Sequence, residues 1–169
     1  MLTQQIQTLM LILAFAIPEG FAQAAAGTTT NSASNQMRIK IGSRTFNATL
    51  DENATTTAFK AMLPMTVEMT ELNGNEKLYR LPVKLPTKAS NPTTIKNGDL
   101  MIYGANTLVL FYKSFPTSYS YTRLGQIDDP AGLAHAVGAG SVVATYELIS
   151  SAVGGKGRGT TSPSRDTER

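Results

Sequence analysis

Cysteine and tryptophan are absent from the 169 residues of the chain, and histidine occurs only once. The absence of cysteine excludes disulfide bonds, thiolate metal sites and a cysteine nucleophile. The single histidine, His135, cannot supply the set of imidazole and thiolate ligands that zinc requires. We therefore expect no transition metal, and we predict a structural role for His135, at the surface or partly buried in a helix.

Two common enzyme signatures are missing as well. The sequence contains neither a Gly-x-Ser-x-Gly nucleophile turn nor a glycine-rich phosphate-binding turn. The small-residue run "GAGS" at residues 138–141 follows a predicted helix instead of preceding one, so it indicates the end of that helix. These absences disfavour a hydrolase or a redox enzyme, and we expect no cofactor.

Charge of one sign is not concentrated anywhere in the chain. The formal net charge is +3, and residues 37–150 contain 11 basic and 9 acidic residues. A nucleic-acid-binding face needs clustered Lys and Arg side chains with stacking aromatic residues. No run of the sequence provides such a face, so we expect no nucleic acid among the partners.

The longest apolar run, Leu9 to Ile17, is too short to span a bilayer, which takes about 20 residues. It is followed by Pro18 and Gly20 and then by small residues, an order typical of a secretory signal peptide. The segment before the run has no Lys or Arg, so a buried N-terminal helix is the alternative interpretation. We predict a signal peptide at residues 1–26, cleavage after Ala24 or Ala26, a periplasmic or secreted protein, and no membrane span after cleavage.

Polar, small-residue segments flank the central part of the chain. Residues 27–36 have no apolar period and predict a flexible linker, and residues 151–169 predict a disordered tail with four basic residues. A solvated tail is the simpler interpretation, and contact with an anionic lipid or polymer is the alternative. One domain at residues 37–150 remains, within the usual size of a single core.

Most of this domain has the alternating pattern of β-strands. Residues 37–50 predict a hairpin around Gly42-Ser43, and Asn73-Gly74 predicts a tight turn between two further strands. Residues 82–94 contain three prolines and no period, so we expect a long surface loop there. Two strands are predicted around residues 104–106. The second of them, at residues 108–112, is apolar enough to be buried on both faces.

Two short helices are predicted between the strands. Asn53 can cap the first, which carries an apolar stripe, and Pro64 ends it. Asp129 and Pro130 fit the N-cap and first position of the second helix, and Gly138 fits its left-handed C-terminal position. Capping, rather than paired acid-base catalysis, is the favoured role of the adjacent Asp128 and Asp129. The expected buried stripes are Ala58, Phe59, Met62 and Leu63 in the first helix, and Leu133, Ala134 and Val137 in the second.

The order of these elements resembles the cyclophilin-like β-barrel, and more closely a family of small bacterial cyclophilin-like domains. The resemblance covers Met37 to Leu148. It is most specific in "GDLMIYGANTLVLFY" and in "SYSYTRLGQIDDPAGLAHAVGAG", where Gly125 and the following helix resemble the late strand-to-helix unit of cyclophilins. The resemblance implies a mainly β fold, a closed barrel flanked by two short α-helices.

The resemblance also raises the question of whether the chain catalyses prolyl isomerisation, whose barrier is about 18–20 kcal/mol. Cyclophilins place a catalytic arginine on the strand after the first helix. Here that strand reads "PMTVEMTEL", which has no arginine and carries Glu68 instead. Tyr121 stands where cyclophilins have a histidine. The cyclophilin catalytic motif is therefore missing.

An aromatic cluster with one arginine is the candidate ligand-binding site. Tyr119, Tyr121 and Arg123 follow one another in two-residue steps and share one face if the strand is continuous. Pairing of Arg123 with a carboxylate or stacking on Tyr121 is the favoured role, and replacement of the lost catalytic donor is the alternative. The candidate ligand-binding residues are Phe111, Phe115, Tyr119, Tyr121 and Arg123.

These observations leave two functions open. The first is a non-catalytic binding module, a monomer that holds a peptide or a small ligand on its aromatic face and the proline-rich loop. The second is a divergent peptidyl-prolyl isomerase that acts on exported proteins. A protease-coupled assay of proline isomerisation separates them.

Overall fold

Ten strands and two short helices follow one another in residues 34–150, the part of the chain that the computed structural model describes. In chain order they are β1 (Gln36–Ile41), β2 (Arg44–Leu50), α1 (Ala54–Lys60), β3 (Met65–Leu72), β4 (Glu76–Arg80), β5 (Thr94–Ile95), β6 (Asp99–Tyr103), β7 (Thr107–Phe111), β8 (Phe115–Pro116), β9 (Tyr121–Ile127), α2 (Leu133–Val137) and β10 (Val142–Leu148).

Eight of the strands form a closed barrel in the order β1-β10-β3-β4-β7-β6-β9-β2, with β2 returning to β1. Every pairing in it is antiparallel. Strands β5 and β8 form a separate two-stranded ribbon. The predicted mainly β fold, a closed barrel with two short helices, is confirmed.

The alternating apolar residues of the strands place their side chains in the interior of the barrel. On β1, Met37, Ile39 and Ile41 are buried while the residues between them are exposed, because successive side chains point to opposite faces. Tyr146 of β10 is fully buried and donates a hydrogen bond to Met69 Sδ at 2.9 Å. Its burial raises the pKa of its hydroxyl well above the ordinary value.

Helix α1 packs against the barrel core. The Asn53 side chain accepts a hydrogen bond from the Thr56 amide at 2.9 Å, as a capping residue should, and this predicted cap is confirmed. Buried Phe59 meets the ring of Tyr146 edge-on, with centroids 6.3 Å apart. The helix ends at Lys60, before Pro64, because turn hydrogen bonds from Met62 and Leu63 replace the helical ladder.

Helix α2 begins later than the sequence predicts. Asp129 accepts a hydrogen bond from the Ala131 amide at 3.0 Å and shapes a turn, whereas the N-cap is Gly132, in a left-handed conformation. Leu133 and Val137 are buried as predicted, but Ala134 is exposed, since the shorter helix presents a narrower stripe. Gly138 has the positive φ of +59° that favours glycine, but its ψ of −171° lies outside the predicted left-handed conformation. His135 lies on the exposed side.

A buried lysine ties the hairpin of β3 and β4 to the loop after α2. Lys77 is fully buried, and its ammonium group donates to Glu71 Oε2 at 2.5 Å and to the carbonyls of Gly138 and Gly140 at 2.8 and 2.6 Å. The Tyr112 hydroxyl also lies 2.9 Å from both Glu71 oxygens. All three donors of the ammonium group are therefore used inside the protein.

Strand β7 is buried on both faces, as predicted. Leu108 and Leu110 belong to the barrel core, whereas Val109 and Phe111 point outward. Their outward side chains form a second core, which we call the outer cluster, and Phe115 of the small ribbon packs against it. The buried members of the outer cluster are Ile95, Met101, Val109, Phe111 and Tyr121.

The predicted signal peptide and tail lie outside the described residues, as does the linker up to residue 33. Asn35 and Gln36, which we assigned to the linker, hydrogen bond to the domain, and Gln36 begins β1. Within residues 34–150, no helix has the length and apolar character that crossing a membrane requires.

Candidate functional site

A pocket of about 230 Å³ lies on the outer face of the barrel, beside the outer cluster. The turn between β3 and β4 forms one side and a group of tyrosines forms the other. We call it the tyrosine pocket. Its lining residues are Leu72, Asn73, Glu76, Leu78, Tyr103, Thr107, Val109, Tyr119 and Tyr121.

Three tyrosine rings make up the aromatic side of this pocket. The rings of Tyr103 and Tyr119 are nearly perpendicular, with centroids 6.1 Å apart, and those of Tyr103 and Tyr121 are 5.6 Å apart. Tyr121 is buried, because its ring also packs edge-on against Phe111. Tyr103 and Tyr119 remain 46% and 61% exposed. Tyr121 is therefore the fixed member, and the other two present accessible ring surface.

Glu76 is the one charged side chain among the residues that line the tyrosine pocket. It lies opposite Phe111 in the β4-β7 register and is only 8% exposed. Among the described residues, none donates a hydrogen bond to its carboxylate or forms an ion pair with it. Burial, together with the negative charge of Glu71, raises the pKa of Glu76. The pocket thus contains an acid that is largely buried and has no partner among the described residues.

The charge of Glu76 also affects the pKa of the Tyr121 hydroxyl. Burial raises its pKa, and the charge of Glu76 raises it further. The hydroxyl therefore stays protonated at neutral pH and remains a hydrogen-bond donor and acceptor at the edge of the pocket.

A second pocket of about 230 Å³, the arginine pocket, lies on the other side of Tyr121. Arg123 lines this pocket, and its guanidinium group pairs with two carboxylates. The Nη1 atom is 2.9 Å from Asp99 Oδ1, and the Nε atom is 3.1 Å from Asp51 Oδ2. Asp99 is buried and also accepts a hydrogen bond from the Lys96 amide. Arg123 thus joins β6 and β9 to the segment that follows β2.

The structure separates the predicted site residues into three groups. Tyr119 and Tyr121 line the tyrosine pocket, and Arg123 lines the arginine pocket with Tyr121. Phe111 and Phe115 line neither pocket, because they pack with each other in the outer cluster, with ring centroids 5.8 Å apart. Strand β9 begins only at Tyr121, so Tyr119 lies before the strand that we expected it to share.

Sequence reasoning missed Glu76 and Tyr103. Each has one local signal: Glu76 opens the strand after the Asn73-Gly74 turn, and Tyr103 ends the strand before Gly104. Neither signal tells which face of the sheet the side chain occupies, and only the register between β4, β7 and β6 places the two residues at one pocket.

Comparison with known proteins identifies the fold family. The sequence model of the Cyclophilin-like family matches residues 39–147, more than half of the chain. The chain belongs to the Cyclophilin-like family. No curated protein matches the sequence.

Among solved structures, this member of the Cyclophilin-like family is similar to the solution structure of the hypothetical protein AF2241 from Archaeoglobus fulgidus. The two are 19% identical, and the match covers 69% of this chain and 96% of the other, with a TM-score of 0.48.

The tyrosine pocket of this Cyclophilin-like domain offers several groups that can contact a ligand. Within residues 34–150, no group of three or more His, Asp or Glu side chains is placed to hold a metal ion. The tyrosine pocket provides aromatic surface, hydroxyl groups and one carboxylate, and its lining contains neither arginine nor lysine. Such a set favours recognition of a ligand by stacking, hydrogen bonding and negative charge.

Proposed function

We propose that this Cyclophilin-like domain is a non-catalytic binding module that acts as an exported monomer and holds a peptide or a small ligand in the tyrosine pocket. The observation that carries the proposal is the concave wall of Tyr103, Tyr119 and Tyr121 beside an unpaired, buried carboxylate. Exposed tyrosines held against one another offer contact area at little cost in side-chain entropy.

Peptide and metabolite libraries, titrated onto the full-length protein and followed by amide chemical shifts, test this function. We expect ligands that perturb residues around the tyrosine pocket, and we expect Tyr103→Ala and Tyr119→Ala to weaken them. Val143→Ala, a truncation of an exposed side chain on β10, should leave binding unchanged. No binder in either library, or binders that both tyrosine variants keep, would contradict the proposal.

The variant Arg123→Ala shows which of the two pockets a ligand occupies. A ligand in the arginine pocket would contact this side chain, and Arg123→Ala would then reduce its affinity while Tyr119→Ala would not. For a ligand in the tyrosine pocket we expect the reverse. Because Arg123→Ala also leaves Asp99 buried without its cation, its effect on binding is read below the melting temperature of the variant.

Catalysis of prolyl isomerisation is the alternative function, and its support is limited to the fold. The guanidinium of Arg123 is held by Asp51 and Asp99, and strand β3 has no arginine. We therefore predict that the protein leaves the rate of isomerisation of a proline tetrapeptide at its uncatalysed value in a protease-coupled assay. A rate that rises in proportion to protein concentration, and falls in Arg123→Ala, would instead make the domain an isomerase.

A further inference from the structure

We propose that the tyrosine pocket selects a primary organic ammonium group, which donates hydrogen bonds to Glu76 and lies against the tyrosine rings. This inference deepens the proposed function and rests on it. The shared chemistry has two sources, a free alkylamine or a lysine side chain of a peptide, and the experiment below separates them.

The carboxylate of Glu76 has unused hydrogen-bonding capacity. A carboxylate has about four lone-pair sites, and a buried one normally accepts several hydrogen bonds. The other buried carboxylate, Asp99, follows that rule, with Arg123 and the Lys96 amide as its donors. Glu76, at 8% exposure, has no donor among the described residues. Its hydrogen-bonding capacity is left for a molecule that enters the pocket.

Glu76 also determines the sign of the charge that the pocket favours. Lys77 follows Glu76 in the chain, but its ammonium group points to the opposite face of β4, where Glu71, Gly138 and Gly140 use all of its hydrogens. The lining of the pocket contains no cation that would neutralise Glu76. A negative ligand would be repelled, a neutral one would leave the charge uncompensated, and a cation would pair with it.

The wall of the pocket suits a cation as well. The faces of aromatic rings attract a cation within about 6 Å of the ring centroid, most strongly where water is excluded. Tyr103, Tyr119 and Tyr121 present differently inclined rings around one cavity. Leu78 and Val109 contribute aliphatic surface that suits the methylene chain of an amine.

Glu76 further distinguishes between kinds of cation. A quaternary ammonium has no N–H group and would leave the oxygens of Glu76 without donors, whereas a primary ammonium brings three. The pocket volume of about 230 Å³ leaves room for one amine with a short methylene chain. Glu76 therefore favours a primary amine over its trimethylated form.

The experiment measures Kd for n-butylammonium and for N-acetyl-lysine-methylamide by calorimetry with the full-length protein. The matched neutral probes are n-butanol and N-acetyl-norleucine-methylamide, and the trimethyl-lysine analogue tests the need for N–H groups. We expect each ammonium probe to bind at least about tenfold more tightly than its neutral match, as a charged hydrogen bond implies. A preference for the lysine derivative would identify peptides as the source, and a preference for butylammonium would identify free amines.

Glu76→Gln keeps the shape of the side chain and removes its charge, so we expect it to weaken both ammonium probes by about tenfold or more. Glu68→Gln, an exposed change of the same kind on β3, should leave both affinities unchanged. Tyr103→Ala is a second, independent variant, expected to weaken the ammonium probes through loss of ring surface.

The outcomes separate the two proposals. If library ligands bind in the tyrosine pocket but the ammonium and neutral probes bind equally, or Glu76→Gln binds ammonium as tightly as the parent, the preference for ammonium is wrong while the binding function stands. If no library ligand and no ammonium probe depends on Tyr103 or Tyr119, both are wrong.

Discussion

Gly125 of β9 pairs with Leu50 of β2 on one side and with Leu100 of β6 on the other. Its φ of +156° accompanies an irregularity in the pairing of β6 with β9. A Cβ atom built on this residue would lie 2.2 Å from the Thr49 carbonyl oxygen and 2.8 Å from Leu50 Cα. Both are backbone atoms of a paired strand and cannot move aside singly, so only glycine fits.

We therefore predict that Gly125→Ala lowers the free energy of unfolding by about 3 kcal/mol, the upper range for overpacking. Urea denaturation followed by far-UV circular dichroism measures the change. Gly104→Ala is the control, because Gly104 has a left-handed φ of +59° and open space around it, and should cost about 1 kcal/mol. Equal losses in the two variants would show that backbone conformation alone, and not close approach, determines the effect.

Glu76 is the basis of a second prediction for a single residue, in which the substitution increases the free energy of unfolding. Since burial raises its pKa in the folded protein, ionisation favours the unfolded chain. The stability that the protonated form contributes is complete below the ordinary pKa of 4.5 and is lost as pH rises through the raised folded value. At neutral pH Glu76 is thus a cost to the fold.

Glu76→Gln should for this reason raise the free energy of unfolding at pH 7 by on the order of 1 kcal/mol. The gain should shrink towards zero as pH falls below 4.5, where both proteins carry a neutral side chain. Thermal unfolding from pH 3.5 to 7.5, with Glu68→Gln as the exposed control, measures it. A stabilisation that is the same at all pH values would show that packing, and not charge, explains the effect.

At the scale of elements, the Lys77 network joins the β3-β4 hairpin to the loop after α2. Although burial opposes ionisation of Glu71, hydrogen bonds from Lys77, Tyr112 and the Gly74 amide keep its pKa below 4.5. The same network acts on Tyr112, where burial and the hydrogen bond to Glu71 raise the pKa to about 12. The charged form of Glu71 therefore stabilises the fold above pH 4.5, and this contribution is lost as pH falls through the lowered value.

Removing the lysine should leave two carbonyl groups without their donor and Glu71 without its cation, although Glu71 keeps the hydrogen bonds from Tyr112 and the Gly74 amide. We predict that Lys77→Met lowers the free energy of unfolding by about 3 kcal/mol at pH 7, as for other broken buried pairs. In a double-mutant cycle with Glu71→Gln, the second change should cost much less in the Lys77→Met background than in the parent. Additive losses would mean that Lys77 acts on the glycine carbonyls and not on Glu71.

Strands and tight turns were predictable from the sequence because their signals are local. Alternation along β1 and β2 and the Asn73-Gly74 turn specify hairpins whose partners are adjacent in the chain. The start of α2 was not predictable, because Asp129 stabilises the turn at Ala131 as readily as it would cap a helix. Because the Asp129 side chain suits both structures, the tertiary packing of Leu133 and Val137 determines where the helix begins.

In the whole molecule, the candidate site was likewise predictable only where its residues are neighbours in the chain. Tyr119 and Tyr121 were accessible to sequence reasoning as neighbours in one segment. Glu76 and Tyr103 come from β4 and β6, and the strand order of the closed barrel, with β7 between these two, brings them to the same pocket. Arg123 was correctly placed near Tyr121, but its carboxylate partners lie on other elements, so its pocket was not foreseen.

Export remains a prediction for the whole molecule, and it depends on residues 1–26, which lie outside the described part. The apolar run from Leu9 to Ile17 would enter a translocation channel, and an arginine within it is unfavourable by about 2.5–3.5 kcal/mol. Expressed in a bacterium, the protein should appear in the periplasm or medium with an N-terminus at Ala25 or Gly27. Leu13→Arg should abolish this, whereas Thr30→Arg, in the predicted linker, should not. Exported protein that begins at Met1, or equal export of the Leu13→Arg variant, would contradict the predicted signal peptide, and protein retained in the cytoplasm would favour a buried N-terminal helix.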